Sequence, residues 1–126
     1  MSTGRVFTIQ EADAALSVIR PLLAEMLKIR QEILDAQPEI WPVVEKAAGN
    51  GGSKAANLVE QQFKRLDELI HQLQSSGAIL KDINIGLVDF LSMRDGREIY
   101  LCWQYGEEEI RYWHEIDSGF AGRELL

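Results

Sequence analysis

The sequence has little of several residue types, and each scarcity excludes a class of protein. A single cysteine in 126 residues rules out an intramolecular disulfide and predicts a reducing, cytoplasmic location. No stretch approaches the roughly 18 apolar residues of a membrane span, and no apolar signal core follows the N-terminus. Cations are also scarce, with 13 Lys and Arg against 20 Asp and Glu and a net charge of −7. This balance argues against nucleic acid and anionic membranes as partners.

What remains is the composition of one folded domain. Hydrophobic residues make up 46% of the chain and charged residues 26%, proportions typical of globular proteins. A chain of this length forms a single core, so we expect one domain over 1–126. We expect four parts in it: a helical hairpin at about 8–76, a flexible linker at about 47–53, a C-terminal sheet at about 79–117 and a tail at 118–126.

The first half of the chain predicts a long amphipathic helix. Thr8 and Glu11 have the spacing of a capping box, in which each side chain bonds the backbone of the other residue. Apolar residues then recur at three- and four-residue steps as far as Leu34. Pro21 lies within this stripe, but the stripe continues in phase across it. A kink at Pro21 is therefore favoured over a break into two helices.

A second helix is predicted to pair with the first. Pro38 and Pro42 end the first helix, and the apolar pair 40–41 between them is expected to fold back as a plug. After the glycine-rich linker, Ser53 is a good N-cap for a helix that runs to about Ser75. The two helices should form an antiparallel hairpin.

Beyond Gly77 the hydrophobic pattern changes to a period of two, which predicts an antiparallel sheet of three to four strands. Asp95-Gly96 is a strong two-residue hairpin turn between the first two long strands. Gly106-Glu107 offers a second tight turn, which leads into a third strand at 109–116. The isoleucines at 79, 83 and 85 indicate a short edge strand. The fold class is therefore α+β, with the sheet packed on the helical hairpin.

Two-residue turns fix a register for this sheet. Asp89, Cys102 and Arg111 then share a row on the outer face, where no histidine accompanies them, so Cys102 is expected to be inert. His114 falls instead on the apolar face, beside Ile99. The residues expected to contact the helices are Val88, Phe90, Leu101, Trp103, Ile110 and Tyr112.

Five residues are candidates for a site. Asp89, Arg111 and Arg123 could bind a ligand, since the glycine-rich tail around Arg123 could form an anion-binding loop. His114 and Glu115 could hold a divalent metal ion, because histidine is both a common ligand and an acid–base group near neutrality. Ordinary structural roles, such as a cross-sheet ion pair or a hydrogen-bonded core histidine, are the favoured interpretation of the same residues.

Five strings of the sequence together resemble a bacterial family, the domain of unknown function 2203. They are FTIQEA (7–12), GLVDF (86–90), DGREIYLCW (95–103), WHE (113–115) and GFAGR (119–123). The resemblance extends over nearly the whole chain and implies a small cytosolic bacterial protein. It implies no activity, cofactor or catalytic residue.

Two functions from different classes remain open. The apolar stripe of the first helix is wider than one partner helix covers, which predicts that two hairpins pair as a homodimer. This favours a non-catalytic, self-associating interaction module. The alternative is a small metal- or anion-binding protein or enzyme with a site around His114, Glu115 and Arg123.

Overall fold

A computed structural model describes residues 5–49 and 56–126, with side chains in the second range from Glu60 onward. The helical part comprises α1 (Ile9–Ala36), a 3-10 turn (Pro38–Ile40), α2 (Trp41–Ala47) and α3 (Ala56–Ser75). The strands are β1 (Ile79–Asp82), β2 (Leu87–Arg94), β3 (Arg97–Gln104), β4 (Tyr112–Glu115) and β5 (Glu124–Leu125), with a 3-10 turn (Phe120–Gly122) before the last. They form one antiparallel sheet in chain order. The predicted α+β class is confirmed, although the sheet has five strands where three to four were expected.

The capping box at the start of α1 is present as predicted. The backbone N–H of Glu11 donates to Thr8 Oγ1 at 3.0 Å, and the N–H of Thr8 donates to Glu11 Oε1 at 2.9 Å. Pro21 lies inside the helix, which continues as one element to Ala36. The expectation that Pro21 does not split the helix is therefore confirmed. None of the helices within the described ranges is both long and apolar enough to cross a lipid bilayer.

The helical region is more than the simple hairpin that the sequence predicted. Ile40 and Trp41 do fold back as an apolar plug, but they belong to the 3-10 turn and to α2, and both are buried together with Val44. Helices α1 and α3 run antiparallel, since Arg65 bonds Glu25 whereas Gln62, earlier in α3, bonds Glu32, later in α1. Most of the predicted linker, and the predicted cap at Ser53, lie outside the described residues.

The first hairpin of the sheet forms in the predicted register. Strands β2 and β3 pair directly, with Val88 opposite Trp103 and Asp89 opposite Cys102. The turn between them needs two positive φ angles, and Asp95 (φ 53°) and Gly96 (φ 80°) supply them. Residues from alternate positions of both strands, such as Val88 and Trp103, are buried in the main core against the helices.

The predicted register of the third long strand is wrong by one residue. Leu101 lies opposite Trp113 and Cys102 opposite Tyr112, because β3 and β4 are joined by a seven-residue connection rather than a tight turn. In that connection Ile110 leaves the sheet to enter the core, and its N–H donates to Asp13 Oδ1 on α1 at 2.7 Å.

A one-residue shift moves every side chain of a strand to the other face of the sheet. Trp113 is therefore buried on the helix side, whereas Tyr112 lies on the outer face, contrary to the prediction. His114 lies on the same outer face as Asp89 and Cys102, in the neighbouring row beside Tyr100, and not on the apolar face as predicted. The wrong prediction of one turn therefore led to a wrong prediction of which side chains share the outer face.

Candidate functional site

Three residues from three adjacent strands form a buried polar cluster on the outer face of the sheet. Asp89 of β2 pairs with Cys102 of β3, and His114 of β4 pairs with Tyr100, two positions along β3. Their exposed fractions are 1%, 0% and 2%. One potential ligand atom from each residue lies within 4.8 Å of the other two. The set combines a carboxylate oxygen, a thiol sulfur and an imidazole nitrogen, which are the donor types of zinc sites.

The hydrogen bonds of His114 fix which ring nitrogen faces the cluster. Its Nδ1 lies 2.7 Å from the backbone carbonyl oxygen of Glu115. A carbonyl oxygen only accepts, so Nδ1 carries the hydrogen and donates it. Nε2 then faces Asp89 Oδ2 at 3.0 Å, and a single proton lies between these two atoms. A backbone carbonyl that orients Nδ1–H is a typical outer-shell partner of a metal-binding histidine.

Asp89 is held in surroundings that do not suit an isolated carboxylate. Burial raises the pKa of its carboxyl above the ordinary value, and the nearby His114 ring only partly offsets this effect. Its Oδ1 is buried and accepts no hydrogen bond from any group in the described part of the chain. An unpartnered buried oxygen costs stability. A bound cation at Oδ1 would remove that cost.

Cys102 has the properties of a protonated thiol in the metal-free protein. Burial, with the charge of Asp89 as the second cause, raises the pKa of Cys102 to about 12, while Arg123 acts in the opposite direction. A thiol with this pKa is a poor nucleophile at neutral pH, in agreement with the expectation that Cys102 is inert. The reason differs from the one expected, however, because His114 does share its face of the sheet.

Arg123 is the cation that lies next to the cluster. Its Nη1 is 4.0 Å from Cys102 Sγ, and its two Nη atoms lie 3.2 and 2.7 Å from the carboxylate oxygens of Glu107. The guanidinium carbon is 3.9 Å from the ring centroid of Tyr112 and 4.6 Å from that of Phe120. The strand β5 and the turn before it therefore bring Arg123 over the sulfur.

The other two predicted site residues lie away from the cluster. Arg111 is exposed and forms an ion pair with Glu109 at 3.3 Å. The carboxylate of Glu115 bonds the exposed Arg97 at 2.6 Å on the helix-facing side of the sheet. Only the backbone carbonyl of Glu115 reaches His114. The structure thus brings together Asp89, His114 and Arg123 from the predicted set.

Cys102 and Glu107 take part in the site although the sequence did not indicate such roles. Cys102 was expected to be inert, and Glu107 was expected to lie in a tight turn. The missed signal is the length of the connection after β3, which holds seven residues rather than two. Ile110 is the one apolar residue among three acidic neighbours and Arg111, and its need for burial could have indicated that the chain leaves the sheet there.

Comparisons with known proteins place the chain in a family without adding a function. Neither the curated proteins nor the solved structures yield a match to this sequence. A family model does match, and it covers residues 5–126, from the segment before α1 to the end of β5 and beyond. The matched region therefore includes Asp89, Cys102, His114 and Arg123. The chain belongs to the family described as "Uncharacterized conserved protein (DUF2203)".

Proposed function

We propose that this protein binds a divalent transition-metal ion, zinc by the chemistry of its ligands, through Asp89, Cys102 and His114. The observation that carries the proposal is the buried Oδ1 of Asp89, which accepts no hydrogen bond from any described group. It lies beside a thiol and beside His114 Nε2, whose hydrogen bond with Asp89 Oδ2 a metal ion would replace. A purely structural polar cluster would be expected to satisfy its own buried atoms.

The spacing of the donor atoms supports this function. In a tetrahedral zinc site with bonds of about 2.0–2.3 Å, neighbouring ligand atoms are about 3.3–3.8 Å apart. The three atoms here lie within 4.8 Å of one another, so a small contraction would bring them to bonding distance. Three protein ligands would leave one coordination position for an exogenous ligand, as in zinc sites that exchange or activate a bound group.

Metal binding would also account for the protonation of the cluster. Burial raises the pKa of both the carboxyl and the thiol, and the thiol, with a pKa of about 12, carries a proton where a cation would bind. A divalent ion would replace that proton and form bonds to the thiolate and the carboxylate. The thiol must stay reduced for this role, and the cytoplasmic location expected from the single cysteine belongs to the same proposal.

The test is a cobalt titration of the full chain after removal of metal by a chelator. Cys102 is the one cysteine of the sequence, so a sulfur-to-cobalt charge-transfer band can arise only from it. We expect one equivalent of Co²⁺ to produce the band, zinc to displace the cobalt, and Cys102→Ser to abolish the band. Absence of the band in the parent protein would refute the proposal.

The two histidines of the sequence provide a matched pair of variants. His114→Gln should weaken Co²⁺ binding by at least about a hundredfold. Loss of an outer-shell partner weakens metal binding by up to about a hundredfold, and loss of a ligand should weaken it at least as much. His71→Gln should leave binding unchanged, because His71 is exposed on α3 and lies near Asp67 rather than the cluster. Equal losses in both variants would contradict the assignment.

Self-association as a homodimer is the second candidate, and one observation favours it. Val6, Ile9 and Met93 are exposed side by side around one surface depression, with exposed fractions of 47%, 39% and 51%. The wide stripe of α1 supports the idea less, because α2, α3 and the sheet bury most of it within one chain. Light scattering at micromolar concentration, with Met93→Lys as the variant, tests the dimer. A monomeric mass for the parent protein would exclude it.

A further inference from the structure

Residues 118–126, which we call the C-terminal strap, run along the β4 edge of the sheet, and from them Arg123 reaches over the outer face beside the buried cluster. The strap turns back after β4 at Ser118, whose N–H donates to the Glu115 carbonyl at 3.2 Å, and it pairs with β4 through the two residues of β5. The N–H of Leu126 donates to the Arg111 carbonyl at 2.8 Å. The strap residues other than Gly119 and Arg123 are exposed, so little apolar burial holds the strap in place.

Arg123 is the side chain that fixes the strap to the rest of the sheet. Its ion pair with Glu107 is largely shielded, with 16% and 22% of the two side chains exposed. The same guanidinium stacks on Tyr112 and Phe120 and reaches Cys102 Sγ. Segments with few buried contacts open at low free energy, and here the ion pair is the shielded side-chain contact that holds the strap in addition to the short β4–β5 pairing.

We propose that the C-terminal strap is a gate over the Asp89–Cys102–His114 cluster and that the Arg123–Glu107 ion pair is its latch. All three side chains of the cluster are buried when the strap is closed. The strap must therefore move before an ion can reach them. The regulatory role rests on the proposed metal function, but the gate itself does not. Opening would expose the sulfur whether or not a metal binds there.

The experiment measures the rate at which an aromatic disulfide reagent, dithiobis(nitrobenzoate), labels Cys102 in the folded, metal-free full chain. Glu107→Gln removes the negative charge that pairs with Arg123, and its amide oxygen can still accept from the N–H of Gln104. We expect it to raise the labelling rate by about tenfold to a hundredfold, the range that corresponds to losing a charge-assisted hydrogen-bonded pair. The parent protein should be labelled slowly.

Glu109→Gln is the matched control, because Glu109 lies in the same connection but pairs with the exposed Arg111. Its labelling rate should equal that of the parent. Gly122→Val provides a second way to displace the strap without a change of charge, since a Cβ at Gly122 would lie 2.9 Å from the Cβ and Oγ of Ser118. It should also accelerate labelling.

A Glu107→Gln rate equal to that of the parent would overturn the gate, as would equal acceleration in Glu109→Gln. Denaturant titrations of each variant measure its global stability. If lost stability explains the faster labelling, the gate is also overturned. In the cobalt assay, Glu107→Gln should speed both uptake and release of Co²⁺. Failure of the parent to bind cobalt would refute the metal function, and the thiol-labelling rates would still decide the gate.

Discussion

Two polar clusters in this protein differ in how completely their hydrogen bonds are satisfied. The first is centred on Asn84, in the turn after β1. Its Oδ1 accepts from Arg30 Nε at 2.8 Å and from Trp41 Nε1 at 3.0 Å, and its Nδ2 donates to Glu45 at 2.8 Å. The second is the Asp89–Cys102–His114 cluster, which is more deeply buried and yet leaves an oxygen without a donor.

The difference separates a cluster that stabilises the fold from the cluster that we propose binds a metal ion. Asn84 joins α1, α2 and the β1–β2 turn, and each hydrogen bond that it makes stabilises the fold. The cluster at Asp89 places a carboxyl and a thiol in surroundings that raise the pKa of both groups, which adds little to stability. Groups that cost stability and lie together are characteristic of sites retained for binding or catalysis.

The largest effect on stability is expected from Asn84→Ala. It leaves Arg30 and the indole N–H of Trp41 without their acceptor, so the free energy of unfolding should fall by about 2–3 kcal/mol. Urea denaturation measures the change, and Gln31→Ala is the control, because its amide bonds only the exposed Asp35. Cobalt binding should be unaffected. A variant as stable as the parent would mean that the cluster centred on Asn84 does not stabilise the fold.

Asp89→Asn should have a smaller effect on stability and a large one on metal binding. An asparagine amide N–H can donate to His114 Nε2, and the variant buries no ionisable carboxyl, so the unfolding free energy should stay within about 1 kcal/mol of the parent value or rise. Cobalt affinity should drop sharply in the same sample. A stability loss as large as that of Asn84→Ala would remove the distinction between the two clusters.

Glu25→Gln should have the smallest effect, because it alters a polar contact of a third kind, one exposed to solvent. Arg65 holds the pKa of the Glu25 carboxyl below its ordinary value. A carboxyl with a lowered folded-state pKa stabilises the protein above its unfolded-state pKa, near about 4.3, and loses this contribution as the pH falls through the folded-state pKa. The stabilities of parent and variant should differ slightly at neutral pH and become equal in acid. Thermal unfolding measured from about pH 2 to about pH 7 checks this.

The elements with strong local signals could be read from the sequence. The capping box at Thr8 and Glu11 and the Asp95-Gly96 turn are set by interactions within a few residues, so no knowledge of the rest of the chain was needed. The β2–β3 register followed from that turn, and it correctly placed Asp89 opposite Cys102. Half of the candidate site was therefore predictable.

The other half depended on contacts between distant residues. Ile110 enters the core and its N–H bonds Asp13, 97 residues away in the sequence, which lengthens the β3–β4 connection. The local pattern at Gly106-Glu107 favoured a tight turn and could not reveal this competing contact. The resulting shift places His114 on the same face of the sheet as Cys102. Arg123 reaches that face from the C-terminal strap, whose sequence has no hydrophobic periodicity from which its path could be predicted.

The sequence by itself determined the α+β class, the long capped helix, the first hairpin and the pairing of Asp89 with Cys102, because these follow from hydrophobic period and local turn chemistry. Tertiary structure alone decided which face His114 occupies and that Arg123 and Glu107 meet above Cys102. A strand's two faces are distinguished by a single residue of register, and here a buried isoleucine far from the sheet's centre sets that register.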